Sequence, residues 1–143
     1  MKLHLAAIVT SALVVTSLSA AISPSGAAPG NTAPDRPVSL TVDDIARPLN
    51  TDLTPRFGWL PQDSDANEVQ SAYKIEVRDA AGEIVWDSRK VTSAQQSYVD
   101  YAGETLEPGS RYTWRVMTWD RRKHPSRWSA KAAFETGLGD TDW

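Results

Sequence analysis

Leu106-Glu107-Pro108-Gly109-Ser110-Arg111-Tyr112-Thr113-Trp114-Arg115-Val116 is the stretch that decides the fold. Pro108-Gly109 turns the chain, and the residues after it alternate strictly. Tyr112, Trp114 and Val116 fall on one side and Arg111, Thr113 and Arg115 on the other, the period of a strand with one face in a core and one in solvent. Tyr112 stands at the mouth of that strand. Its ring can enter the core while its hydroxyl bonds back to the backbone of the loop just left, a tyrosine corner.

The same period recurs on both sides of this run. It predicts strands at Val38–Val42, Phe57–Leu60, Tyr73–Val77, Ile84–Trp86, Ser97–Val99, Tyr112–Val116 and Ala132–Phe134, and no segment repeats at helical spacing for two turns. Turn chemistry lies between them in Pro61-Gln62-Asp63-Ser64-Asp65, Asp79-Ala80-Ala81-Gly82 and Glu107-Pro108-Gly109-Ser110. Tyr73, Ile75 and Val77 share a face opposite Lys74, Glu76 and Arg78. With Leu40, Phe57, Trp59, Leu106, Tyr112, Trp114, Val116 and Phe134 they can fill a gap of about 10 Å between two sheets. The expected fold is all-β, an antiparallel β-sandwich of about seven strands, immunoglobulin or fibronectin type III-like.

The 143 residues carry 15 Lys+Arg against 18 Asp+Glu, six Trp and no Cys. Lys2 followed by the uncharged run Leu5–Ala21 reads as a signal peptide, assigned to residues 1–28, so the mature chain is expected to be secreted. Residues 29–37, rich in Pro, Gly and Ala, read as a disordered linker, 38–137 as the β-sandwich domain and 138–143 as the start of a linker to a missing downstream domain. Loss of Lys2 with the leader takes the net charge from −3 to about −4. That balance gives no reason to expect nucleic acid, or a membrane after signal cleavage. The absence of Cys excludes a disulfide scaffold, a thiolate metal site and a Cys nucleophile.

Candidate chemistry is sparse. His124, in Asp120-Arg121-Arg122-Lys123-His124-Pro125, sits beside three cations that disfavour the imidazolium a general base must form, so the stretch reads as a solvated turn. Asp63-Ser64-Asp65-Ala66-Asn67 opens like a calcium loop, but Glu68 and Lys74 stand where that loop needs Gly and Glu. It reads as a polar turn. Asp43, Asp44, Asp87, Asp100 and Asp120 qualify for glycosidic acid–base work by residue type alone. No catalytic residue, metal ligand or cofactor is assigned. Trp86, Trp119 and Trp128 fall on outward parity and Trp143 closes the chain, so these four are candidates for an interface with another domain or for stacking on a sugar.

Several stretches carry a resemblance to a known family. They are Pro55-Arg56-Phe57-Gly58-Trp59, Ala72–Val77, Val85-Trp86-Asp87-Ser88-Arg89-Lys90-Val91, Tyr101-Ala102-Gly103, Arg111–Asp120, Ser126-Arg127-Trp128-Ser129 and Phe134–Leu138. In this order they resemble the N-terminal sandwich of bacterial α-L-rhamnosidases, glycoside hydrolase family 78. Arg89 departs from the pattern, which usually has Gly there. The resemblance implies a parent enzyme that removes terminal α-L-rhamnose with inversion, using acids in an (α/α)6 barrel downstream of the sandwich. No catalytic residue carries over to this chain, and its expected partners are downstream domains of the same enzyme and rhamnose-containing glycosides. The other reading is a free-standing carbohydrate-binding or adhesion module built on Trp86, Trp119 and Trp128.

Overall fold

The computed structural model describes residues 32–139. The segment read as a signal peptide (1–28), residues 29–31 of the expected linker and Trp143 lie outside the described residues. Seven strands form in chain order: β1 Asp35–Val42, β2 Arg56–Gln62, β3 Ala72–Arg78, β4 Ile84–Asp87, β5 Val99–Asp100, β6 Arg111–Trp119 and β7 Ala132–Glu135. They pair as two antiparallel sheets, β1-β2-β5 and β4-β3-β6-β7. The chain is the expected sandwich.

The alternation in the sequence becomes the two faces of the larger sheet. β3 and β6 pair without interruption from Ala72↔Trp119 to Arg78↔Thr113, which sends Tyr73, Ile75, Val77, Tyr112, Trp114 and Val116 inward, all buried. Phe57 and Trp59 come down from β2 to meet them. Phe57 lies 4.6 Å from Trp114, centroid to centroid, and Trp59 makes an edge contact with Tyr73 at 5.2 Å. Aromatic rings thus supply much of the buried area, each at about 150–250 Å². The tyrosine corner forms as its sequence predicts: the Glu107 N–H donates to the Tyr112 hydroxyl at 3.0 Å.

The starts of β1 and β5 differ from the sequence reading. β1 begins at Asp35, inside the segment assigned to the disordered linker, with Asp35 paired to Gln62. Asp35-Arg36-Pro37 shows no apolar alternation because this end of β1 is a sheet edge, where polar side chains and Pro are tolerated. Ser97 and Tyr98 fall outside β5: Tyr98 has φ 54° and points into solvent under the guanidinium of Arg56. Arg89 has φ 57°, the left-handed region that costs a non-glycine residue energy and that glycine adopts freely.

The β7 edge of the larger sheet is covered by the chain itself. Pro48–Thr51 runs along β7, with Glu135 N–H donating to Pro48 O (2.9 Å) and Thr51 N–H to Glu135 O (3.0 Å). Ahead of β7, Ser126 and Ser129 continue the ladder against β6. Their hydroxyls accept from the N–H groups of Thr118 and Val116, both at 3.0 Å, and their own N–H groups donate to the carbonyls of the same residues at 2.8 Å. Side-chain oxygen here does the work of a strand carbonyl.

Candidate functional site

Trp128 lies on the outer face of the larger sheet, where the Ser126/Ser129 bonds to β6 hold the segment that carries it. The Arg115 guanidinium sits 4.3 Å from its ring centre and the Lys74 ammonium 5.8 Å. Arg115 also pairs with Glu76 at 3.0 Å, and Arg78 reaches the same carboxylate oxygen at 2.8 Å. Glu76, polar by parity, is buried beneath these two arginines. The outer face is therefore a belt of cations interleaved with one ring, which spends the Trp128 surface on the protein itself.

Trp119 carries the Lys90 ammonium at 4.6 Å and borders a cavity of about 150 Å³ at one end of the sandwich. Asp63, Glu68 and Asp120 meet there, with carboxylate oxygens within 4.8 Å of one another. Each already holds a protein group. Asp63 accepts the Asp65 N–H at 2.8 Å, Glu68 pairs with Arg121 at 3.3 Å, and Asp120 takes the His124 N–H at 2.8 Å and faces His124 Nδ1 at 3.0 Å. The arrangement closes the turn after β6. Asp65, the second acid of the calcium-like run, turns instead to the Thr32 N–H at 2.9 Å.

Trp86 faces inward, contrary to its assigned outward parity. A register shift in the β3–β4 pair sets Trp86 opposite Val77, a core residue, and its ring stacks on Phe57 at 5.9 Å and meets Tyr101 edge-on at 5.0 Å. A bulge reverses parity, and nothing in Ile84-Val85-Trp86 announces one. Among the acids named for glycosidic chemistry, Asp87 is held by Lys74 at 3.3 Å and Asp43 accepts the Arg56 N–H at 2.9 Å.

One surface was missed by sequence reasoning. A groove of about 280 Å³ opens at the seam between the sheets, with Pro37, Val38 and Leu40 of β1 on one side and Ala46, Ala130 and Ala132 on the other. Arg36, Arg47 and Lys131 rim it. Among the described residues none of these three cations is in an ion pair. They lie far apart in sequence, so no basic run gave the cluster away.

Comparison with known proteins places this domain. Residues 37–140 match the family described as Rha78A-like, N-terminal immunoglobulin domain. An α-L-rhamnosidase of Streptomyces avermitilis is 40% identical over 114 residues, which cover 76% of this chain and 11% of that enzyme. One from an Alteromonas species is 36% identical over 118 residues, covering 76% of this chain and 13% of the enzyme. The crystal structure of the Streptomyces avermitilis enzyme complexed with L-rhamnose superposes with a TM-score of 0.70 at 38% identity, over 76% of this chain and 11% of that one. A human fibronectin type III domain superposes at 0.52 with 19% identity, over 85% of this chain and 97% of that one, a likeness of fold alone. This chain thus spans about a tenth of the enzymes it matches. It belongs to the Rha78A-like N-terminal immunoglobulin domain family.

Proposed function

We propose that this chain is the non-catalytic N-terminal β-sandwich of a secreted α-L-rhamnosidase, an enzyme that hydrolyses terminal α-L-rhamnose from glycosides. The observation that carries the reading is the match itself: it runs over residues 37–140, from within β1 to beyond β7, and the alignments take in only 11–13% of the matched enzymes. The geometry agrees, since Asp43, Asp87, Asp120 and His124 are held in local hydrogen bonds and ion pairs. Export is supported by the apolar run Leu5–Ala21 behind Lys2. The domain's partners are other domains of the same enzyme. A free-standing sugar-binding module is less well supported, because Trp119 and Trp128 carry cations against their rings and Trp86 packs against the core.

The test is to assay this chain and the complete gene product side by side on an aryl α-L-rhamnoside. Rhamnose release by the complete product alone is expected; release by residues 32–139 overturns the reading. Calorimetric heat on titrating this chain with neutral rhamnosides would favour the sugar-binding alternative instead.

A further inference from the structure

We propose that the groove between β1 and Ala130–Ala132 is the seat of a carboxylate-bearing, aliphatic polypeptide segment from another domain of the same enzyme; this rests on the accessory-domain reading. The floor is aliphatic and the rim is basic. Apolar side chains are exposed in the groove and on the loop that follows β1: Val38, which lines it, is 41% exposed, and Ile45 and Leu49 on the loop are 58% and 73% exposed. Exposed apolar side chains on a groove and on the loop beside it are surface that a domain covers with a partner. A chain with net charge −3 places around this one groove three cations that, among the described residues, are in no ion pair, so its local field favours an acidic occupant.

The lining selects polypeptide over sugar. It contains no aromatic ring on which a pyranose could stack and a single uncharged polar side chain, Ser39. At about 280 Å³ the groove is just below the ~300–1,000 Å³ of small-molecule sites, and a few aliphatic side chains fill it. Addition of a strand to the β1 edge is disfavoured, because the register shifts twice between Asp35 and Thr41 and Ser39 has φ 53°. The occupant therefore inserts side chains. Burial of aliphatic surface supplies affinity, and the Arg36, Arg47 and Lys131 rim sets orientation. Most of the enzyme's length lies outside the matched domain, which makes its own polypeptide the occupant at highest effective concentration.

Hydrogen exchange tests this on the complete gene product and on this chain in parallel. In the complete product the peptides spanning 36–47 and 130–132 should exchange roughly tenfold more slowly than in this chain. The pairs Arg47→Glu with Lys131→Glu, and Arg47→Gln with Lys131→Gln, should remove that protection, whereas Arg122→Glu, on an exposed turn, should not. Equal exchange in the two proteins, in a product that hydrolyses rhamnosides, overturns the proposal and leaves the accessory-domain reading standing. A complete product without rhamnosidase activity overturns that reading instead. Protection that survives charge reversal refutes an acidic occupant. Protection of this chain by added oligogalacturonate, or by its own concentration, refutes a polypeptide from the same enzyme.

Discussion

The two sheets of this sandwich are built to different standards. The β4-β3-β6-β7 sheet has a seven-position ladder between β3 and β6 with no slip, a belt of ion pairs and a stacked Trp128 over its outer face, and an edge covered by Pro48–Thr51. The β1-β2-β5 sheet has an edge strand that shifts register twice and a β5 of two residues. It also presents Val38 and Leu60, paired across β1 and β2, to solvent. One sheet finishes its own surface and the other leaves surface to be finished. Fold stability should therefore be concentrated in the first, and contact with the rest of an enzyme in the second.

The largest expected effect lies where β6 crosses the core. Trp114→Ala removes a ring that is 1% exposed and in contact with Phe57, and should cost about 3–5 kcal/mol of unfolding free energy. Much of a small domain's stability would go with it. Urea denaturation followed by far-UV circular dichroism reads the loss. A change under about 1 kcal/mol would mean that the larger sheet is not where this fold is held.

Next comes the hydroxyl of Tyr112. Tyr112→Phe keeps the ring stacked on Phe134 but deprives the Glu107 N–H of its acceptor. Loss of that one bond should cost about 1–2 kcal/mol, visible in the same titration. The corner was legible in the sequence because its parts are local: a Pro-Gly turn, then Tyr at the head of an alternating run. So were the inward faces of β3 and β6, which obey one period from end to end. Trp86, the covered edge and the cationic groove were not legible, because each depends on which distant segments become neighbours. A register shift flips Trp86 inward, and Arg36, Arg47 and Lys131 converge only when β1 closes on the strand leading to β7.

A smaller effect of opposite sign is expected on the path from the well-built sheet to the irregular one. Arg89 follows β4 with a left-handed backbone, and its side chain is 87% exposed and 4.0 Å from Asp87, an ion pair worth little. Arg89→Gly relieves the φ penalty and keeps the bond from its N–H to Asp87 at 2.8 Å. It should stabilise the domain by about 0.5–1 kcal/mol, after the extra entropy that glycine gives the unfolded chain. Destabilisation would show that the turn is held by the Arg89 side chain.

The smallest effect opposes Tyr101 to Tyr112. Tyr101 follows β5 in the irregular sheet and is buried, yet among the described residues its hydroxyl has no hydrogen-bond partner. Tyr101→Phe removes a desolvated polar atom without stranding a donor, so stability at neutral pH should change by no more than about 0.5 kcal/mol. The same hydroxyl matters in alkali. Burial pushes its pKa above the ordinary 10.0, aided by Tyr112 and Glu104 nearby, and burial does the same to Tyr73. Above pH 10 the unfolded chain releases these protons while the folded chain retains them, so the folded state binds more protons and stability falls as pH rises. Tyr101→Phe should make that fall shallower, and Tyr73 should account for part of what remains. A melting temperature that declines equally in the two proteins between pH 9 and pH 11 would mean that the Tyr101 hydroxyl is not sealed from water. The irregular sheet would then be open as far as its inner face.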